Sequence, residues 1–333
     1  MQANHTWRTA AILQETKDTI TIVFDTGGAP FAYKAGQFIN LSVDIDGSTI
    51  TRSYSFSSAP LAGTSPAITI KRVAGGIMSN YLHDHAAYVK EWRVNGPHGA
   101  FTLDQPCDEL VLLGGGSGIT PLFSLANEVL QQSPGTNVTL IYSSHNEENI
   151  IFRNALHALQ QQHPQLKVHY MLSENGGRIN RIIAKKLIKA IPAERAQYFI
   201  CGPSGLMKLH LEVLQALNIP AQQITTEWFQ PEPLTVTPTL PDSAQEVLLH
   251  FYEQSNLLEV KPGQTIMAAA LEDKIALPYS CKAGTCGICA AKLLSGNVHM
   301  AQQYALGKEA LEAGMVLLCQ SHPLDSNVTI EII

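Results

Sequence analysis

The sequence predicts a multidomain protein with an antiparallel β-barrel, then an α/β domain with a parallel sheet, then a small C-terminal domain. Three observations lead to this prediction. The chain has 333 residues, which is too long for one ordinary core. Short strands of alternating polarity fill roughly the first hundred residues, and strands that alternate with helices follow them. A proline-rich segment then separates a last block that holds four of the six cysteines.

The first domain is expected over residues 1–104. Polar and apolar side chains alternate there in TITIVF, FINLSVDI and AITIKRV, and Gly, Asp and Pro separate these stretches. Alternation with a period of two is typical of strands that bury one face. This region is therefore interpreted as an antiparallel sheet folded into a barrel or sandwich.

The second domain is expected over residues 105–229. An apolar strand, ELVLLGGG, runs into glycines, and PLFSLANEVLQQ after it has helical spacing. Further strands, NVTLIY, KVHYML and QYFICG, are each separated from the previous one by a helical pattern. Strands that alternate with helices indicate parallel βαβ units.

The third domain is expected over residues 246–333, after a linker at 230–245 that contains four prolines and no periodicity. This last block opens with the strand VLLHFYEQ and closes with the strand NVTIEI. It carries five lysines against nine aspartates and glutamates, a net charge of −4, so it is the most acidic part of the chain.

Composition excludes several classes of function. No run of eighteen apolar residues predicts a membrane span, and the N-terminal residues lack the pattern of a secretory signal. Six cysteines are too sparse for a disulfide framework, which fits a reducing compartment. The overall charge of −6 argues against a nucleic-acid partner. We therefore expect a cytoplasmic protein with neither a membrane nor a nucleic acid as its partner.

Four cysteines near the C-terminus form a metal-binding pattern: Cys281, Cys286, Cys289 and Cys319. Zinc sites usually show two CxxC-type pairs, whereas this pattern has one CxxC pair, a cysteine five positions before it and a distant fourth. Cys-x4-Cys-x2-Cys with a distant cysteine is the spacing of a plant-type [2Fe–2S] loop. Structural zinc and unliganded thiols remain as alternatives. On this motif, residues 247–333 resemble a plant-type ferredoxin domain, which implies a β-grasp fold.

Three further motifs precede this block. GGGSGITP at 114–121 follows a strand and opens a helix, where backbone N–H groups can meet a pyrophosphate. RSYSFSS lies at 52–58, and CGPSGLM lies at 201–207. Together with GPHGAF at 96–101, and in this order, they resemble the ferredoxin–NADP reductase superfamily over roughly residues 5–229. That resemblance implies a flavin-binding barrel followed by a nicotinamide-dinucleotide domain.

The resemblance also implies roles for individual residues. Ser55, Cys201 and Glu227 are expected at the reacting end of the flavin, with Cys201 orienting the nicotinamide rather than acting as a nucleophile. Gly76 and Ser79 begin a helix that forms a second phosphate site, which favours FAD over FMN. The implied cofactor-binding residues are Arg52, Tyr54, Ser55, Ser58, Lys71, Gly76, Met78, Ser79, Gly114, Gly115, Gly116, Gly118, Thr120, Pro121, Ser144, His145, Cys201, Gly202, Pro203 and Phe229.

The three cofactor sites predict one function. NADH or NADPH would deliver a hydride to FAD, and electrons would leave singly through the [2Fe–2S] cluster to a protein acceptor. The architecture resembles the reductase components of bacterial multicomponent oxygenases, including that of phenylacetyl-CoA epoxidase. The expected acceptor is therefore an oxygenase or hydroxylase component, of the di-iron type. The alternatives are a hybrid-cluster protein, a desaturase or a Rieske oxygenase as acceptor, or a redox sensor.

The nucleotide preference should depend on residues after the second strand of the nicotinamide domain, in SSHNEENIIF at 143–152. No arginine stands near His145, and Glu147 and Glu148 would repel a 2′-phosphate, which favours NADH. Ser143, Ser144 and a protonated His145 leave NADPH open.

Overall fold

The computed structural model describes residues 4–174, 176–192, 194–229, 240–251, 254–279, 281–306 and 308–332. Three sheet-containing units follow one another along the chain, first antiparallel, then parallel, then mixed, which confirms the predicted fold class. Most of the predicted linker, residues 230–239, lies outside the described residues. None of the helices in the described segments is both long and apolar enough to cross a bilayer.

The first unit is a six-stranded antiparallel sheet, as far as the described residues show, with the order β4-β3-β6-β1-β2-β5. A bridge between Phe56, just after β4, and Ile68 on β5 joins the two edge strands and closes the sheet into a barrel. Its elements are β1 (Asn4–Thr16), β2 (Thr19–Asp25), β3 (Phe38–Ile45), β4 (Ser48–Ser55), β5 (Ala67–Lys71), α1 (Ile77–His85) and β6 (Trp92–His98).

Strand β3 shows how sequence alternation builds this barrel. Ile39, Leu41 and Val43 belong to the barrel core. Successive side chains of a strand point to opposite faces, so Phe38 and Asn40 lie on the outer face. This outer face of β3 becomes part of the functional site.

The second unit is a parallel sheet, with the order β11-β10-β7-β8-β9. Strand β7 is buried along its whole length because helices cover both faces of the sheet, which explains its continuous apolar sequence. The elements are β7 (Glu109–Gly115), α2 (Ile119–Gln132), β8 (Asn137–Ser144), α3 (Arg153–Gln162), β9 (Leu166–Leu172), α4 (Arg181–Lys189), β10 (Ala196–Cys201), α5 (Ser204–Ala216) and β11 (Ile224–Glu227).

Strand register brings the chemical residues of this sheet to one edge. Cys201 lies opposite Gly114 on β7 and opposite Glu227 on β11. All three lie at the carboxyl ends of their strands, the edge where open α/β sheets bind their ligands.

The third unit has a mixed sheet, β13-β12-β18-β14-β16, and a two-stranded sheet, β15-β17. Strands β12 and β18 run parallel to each other, and the other pairs are antiparallel. The elements are β12 (Gln245–Phe251), β13 (Gln254–Val260), α6 (Ile266–Glu272), β14 (Ala290–Ser295), β15 (Val298–Met300), α7 (Lys308–Glu312), β16 (Met315–Leu317), β17 (Ser321–Pro323) and β18 (Val328–Ile332). The four cysteines lie in the loop before β14 and shortly after β16.

Candidate functional site

A cavity of about 360 Å³ opens where the three units meet. The barrel supplies most of its wall, the parallel sheet supplies its floor, and Thr285 of the cysteine loop closes one side. Ten of the residues expected to bind a cofactor or to act in catalysis line it: Arg52, Tyr54, Ser55, Lys71, Gly76, Met78, Ser79, Thr120, Glu227 and Phe229.

One end of this cavity suits a phosphate anion. The Arg52 side chain is exposed there and pairs with no carboxylate among the described residues. Helix α1 begins beside it, and a Cβ added to Gly76 would lie 2.6 Å from Ser79 Oγ, so a larger residue would displace the Ser79 hydroxyl. A guanidinium and a helix N-terminus together favour a diphosphate, so the residues present fit FAD.

The other end of the cavity holds a hydrogen-bonded pair from two units. Ser55 Oγ of the barrel donates to Glu227 Oε2 of strand β11, at 2.9 Å. Protein surrounds the Glu227 carboxyl except where it faces the cavity, and this burial raises its pKa to about 8 although the Ser55 bond opposes the shift. The carboxyl is therefore mostly protonated at neutral pH.

Cys201 is fully buried beside this pair. Burial raises the pKa of its thiol well above the ordinary value, and an ionised Glu227 would raise it further. A thiol that stays protonated is a poor nucleophile, which agrees with a role in packing and orientation. The loop GGGSGITP holds Cys201 closely, because a Cβ on Gly118 would lie 2.3 Å from the Cys201 carbonyl oxygen.

A second cavity, of about 500 Å³, lies on the other side of the same loop. Lys71 lines both cavities, which places them next to each other. Five residues expected at the nucleotide site line the second cavity: Gly115, Gly116, Ser144, His145 and Pro203. Backbone at glycines and small polar side chains around such a space suit a dinucleotide.

A cation that the sequence analysis missed also lines this second cavity. Arg178 is exposed, and no hydrogen bond or ion pair involves it among the described residues. Ser173 lines the cavity as well, with its Oγ 3.3 Å from His145 Nδ1. Glu147 is exposed and forms an ion pair with Arg153, which offsets its negative charge. Glu147 does not line the cavity. Arg178 follows β9, at the edge of the sheet where the carboxyl ends of β8 and β9 lie side by side. A basic residue after the strand next to β8 is the sequence signal that could have identified it.

The four cysteines of the third unit are suited to a [2Fe–2S] cluster. Cys286, Cys289 and Cys319 are buried and Cys281 is half-buried. Interactions with the Cys286 and Cys319 thiols lower the pKa of Cys281, and the N–H groups of Ala283 and Thr285 each lie 3.4 Å from its sulfur. Gly284 has φ +72°, and a Cβ there would lie 2.8 Å from a backbone oxygen, so the loop can wrap tightly. Four cysteines gathered around a tightly wound loop, with backbone N–H groups beside Cys281, fit the cluster.

The cysteine loop touches the barrel directly. Asn40 Nδ2 on the outer face of β3 donates to the Cys286 carbonyl oxygen at 3.4 Å. The Trp228 ring, which also lines the flavin cavity, lies 6.1 Å from the Tyr304 ring of the third unit. Trp228 stands between Glu227 and Phe229, and all three line the cavity. Trp228 is therefore part of the site, although the sequence motifs did not mark it.

Several expected residues lie behind the cavities. Ser58 lines neither of them, and its hydroxyl bonds Tyr33 and the Ala67 N–H, which joins barrel segments. Three further residues lack a side chain where other parts of the protein pack closely against the backbone: Gly114, Gly118 and Gly202. Pro121 is buried in the first turn of α2. The sequence motifs thus mark both the cavity lining and the packing behind it.

The chain matches three protein families. Residues 10–103 match the oxidoreductase FAD-binding domain, and residues 112–211 match the oxidoreductase NAD-binding domain. Residues 251–324 match the 2Fe-2S iron-sulfur cluster binding domain. These matches confirm the expected FAD, NAD(P)H and [2Fe–2S] cofactors and an NAD(P)H-dependent oxidoreductase.

Full-length relatives share the same arrangement. The ferredoxin reductase component of 3-ketosteroid-9-alpha-monooxygenase from Rhodococcus rhodochrous is 32% identical, over 97% of this chain and 95% of the relative. A component of 1,2-phenylacetyl-CoA epoxidase from Escherichia coli is 29% identical, over 99% and 98%. The solved structure of phthalate dioxygenase reductase superposes with a TM-score of 0.65 at 18% identity, over 99% and 98%, which supports the fold.

Proposed function

This chain belongs to the family of oxygenase reductase components that join FAD-binding, NAD-binding and 2Fe-2S domains in one polypeptide, and we propose that it delivers single electrons to an oxygenase component. The observation that supports this most directly is the continuity of the three sites. Lys71 lines both the nucleotide and flavin cavities, and Thr285 of the cysteine loop lines the flavin cavity. Electrons can therefore cross the molecule without a long gap between sites.

Different side chains serve the nucleotide site and the flavin site. When bound, the flavin accepts two electrons together and releases them singly, which matches a one-electron cluster to a two-electron donor. Cys201, fully buried behind the glycine loop, would help to position the nicotinamide through that loop, and Arg52 with the start of α1 would anchor the phosphates. The neutral Glu227 adds no negative charge near the site that receives the hydride.

The proposed acceptor is the terminal component of an oxygenase. One similar protein belongs to a ketosteroid monooxygenase and another to a phenylacetyl-CoA epoxidase, so oxygenase reductases of more than one kind resemble this chain. We predict that the acceptor is a di-iron oxygenase component of the epoxidase type. Mixing the purified chain with such a component, and measuring substrate-dependent NAD(P)H consumption, tests it.

The variant Cys286→Ser separates the two halves of the proposed function. It removes one cluster ligand but keeps the backbone carbonyl that contacts Asn40, so the flavin site should stay intact. We expect NAD(P)H-dependent ferricyanide reduction to persist and cytochrome c reduction to fall by about tenfold or more, since the second path needs the cluster. Steady-state rates with each acceptor, with iron content and flavin content, provide the measurement.

Cys107→Ala is the matched control, because Cys107 is another buried cysteine and lies outside the loop. It should retain both activities. Equal loss of ferricyanide and cytochrome c reduction in Cys286→Ser, with flavin still bound, would contradict the proposed order of electron flow.

We also propose that NADPH is the preferred donor. The NADH preference inferred from the sequence depended on the absence of an arginine near His145 and on the charges of Glu147 and Glu148. Neither glutamate lines the second cavity, whereas Arg178 lines it together with His145, Ser144 and Ser173. A guanidinium with no partner among the described residues, beside two hydroxyls, suits a 2′-phosphate.

A further inference from the structure

Asn40 has an unusual environment for a residue on the outer face of a barrel. Its neighbours Ile39 and Leu41 face the core, so the Asn40 side chain points away from it. Yet Asn40 is 0% exposed. A polar side chain on an outer face is buried completely only when something covers that face, and hydrogen bonds must then satisfy it.

The cover over Asn40 is the cysteine loop. Its Nδ2 atom donates to the carbonyl oxygen of Cys286, and its Oδ1 atom accepts from Ser53 Oγ at 2.7 Å. The Cys286 carbonyl can only accept a hydrogen bond, so the amide nitrogen must face it. With the amide in this orientation, Ser53 satisfies the Asn40 oxygen.

This contact is local and lies next to the flavin cavity. Ser42, two residues further along the same face, is only half-buried and pairs with Thr51 within the barrel. Ser53 and Thr285, the neighbours of Asn40 and Cys286, both line the flavin cavity. Asn40 therefore contacts the loop beside residues that line the flavin cavity.

We propose that Asn40 is a positioning residue that holds the Cys286 side of the cluster loop against the flavin-binding barrel and so sets the rate of electron transfer between the two sites. This inference rests on the proposed function. Each hydride brings two electrons, which cross this contact one at a time, and the acceptor removes each from the cluster before the next crosses. Loss of one neutral hydrogen bond should shift the equilibrium between docked and undocked loops by about fivefold.

Two substitutions test the role in the holoenzyme loaded with FAD and cluster. Asn40→Leu keeps the size of the side chain and removes the donor. Asn40→Asp keeps an acceptor for Ser53 but turns an oxygen towards the Cys286 carbonyl oxygen. Ser42→Ala is the matched control, on the same strand and the same face. Anaerobic stopped-flow absorbance separates flavin reduction by NAD(P)H from the cluster reduction that follows.

Flavin reduction should keep its rate in both Asn40 variants, whereas cluster reduction should slow by up to about fivefold in Asn40→Leu and by at least as much in Asn40→Asp. Hydrogen exchange gives a second readout that does not depend on turnover: amides 283–289 should exchange faster in both variants and not in Ser42→Ala. Unchanged cluster reduction and exchange in both variants would overturn the inference. Equal slowing of both redox steps without faster exchange would also overturn it, because Asn40 would then shape only the barrel. If the wild-type protein reduced its flavin but never its cluster, the proposed function itself would fail.

Discussion

Glu227 is a carboxyl whose environment differs from that of an ordinary surface glutamate. Its pKa is raised to about 8 by burial beside the flavin cavity, and Ser55 donates to it. Below this pH the group is neutral, and above it a carboxylate faces the site where a hydride adds negative charge. We therefore predict that flavin reduction slows by about tenfold as the pH rises from 7 to 9, which corresponds to ~1.4 kcal/mol of barrier. Stopped-flow flavin reduction at saturating NAD(P)H measures it.

Glu227→Gln is the control for this pH profile, because it keeps an acceptor for Ser55 and cannot ionise. The variant should show a flat profile over the same pH range. A wild-type profile that is flat, or a fall that persists in Glu227→Gln, would assign the titration to another group.

Arg178 carries the proposed preference for NADPH. Replacing it by glutamine removes the charge that would meet the 2′-phosphate and leaves the adenosine site otherwise intact. We predict that the ratio of kcat/KM for NADPH to kcat/KM for NADH falls by about tenfold or more, ~1.4 kcal/mol of discrimination. Steady-state kinetics with both nucleotides at one pH and one ionic strength measure this ratio.

Arg181→Gln is the matched control, since Arg181 is exposed on α4, pairs with Glu212 and does not line the cavity. Its ratio should equal that of the wild type. A wild-type enzyme that prefers NADH by tenfold would restore the interpretation of Glu147 and Glu148 made from the sequence.

The loop between β7 and α2 shows how closely one element depends on another. Gly118 has φ −62°, which any residue can adopt, so its need for glycine is purely steric. A Cβ there would lie 2.3 Å from the Cys201 carbonyl oxygen. We predict that Gly118→Ala displaces the end of β10 and slows flavin reduction by about 100-fold if the nicotinamide moves by ~1 Å. Overpacking should also lower the free energy of unfolding by about 1–3 kcal/mol.

Gly135→Ala tests the same change where there is room, because a Cβ on Gly135 would meet no atom within 4 Å. Stopped-flow reduction and urea unfolding should leave this variant close to the wild type. Normal flavin reduction in Gly118→Ala would show that the backbone of β10 yields without moving Cys201.

Sequence reasoning succeeded for elements whose signals are local. The buried strand ELVLLGG and the amphipathic helix after it carry their own pattern, and three of the four predicted cluster ligands lie within nine residues at a characteristic spacing. It missed Asn40, which has the pattern of an ordinary polar residue in a strand. Its role depends on a contact with Cys286, 246 positions away, and no periodicity records such a contact.

The relation between the units is a property of the whole molecule that the sequence could not supply. Most of the predicted linker lies outside the described residues, and its composition does not specify where the third unit docks. The docking follows from matched surfaces: the outer face of β3 meets the Cys286 carbonyl, and Trp228 approaches Tyr304. Because the barrel covers the Thr285 and Cys286 side of the loop, a protein acceptor has to approach another side.

The exposed side of the loop leads to a prediction about ionic strength. Lys282 is exposed, and together with Cys319 it borders a groove along α6. The surrounding block, residues 246–333, has five lysines against nine acidic residues, a net charge of −4. We expect the acceptor to present a basic surface, so that attraction between the two proteins speeds their encounter.

Salt should weaken that attraction, since the Debye length falls from ~10 Å at 0.1 M to ~3 Å at 1 M. The second-order rate of electron delivery to the native acceptor should therefore fall steeply between these concentrations. Electron transfer from flavin to cluster within the chain is the internal control, because the docked units meet through a neutral hydrogen bond and an aromatic contact. Its rate should change little with salt. A flat profile for delivery to the acceptor would mean that shape and apolar contact, not charge, guide the partner to the cluster.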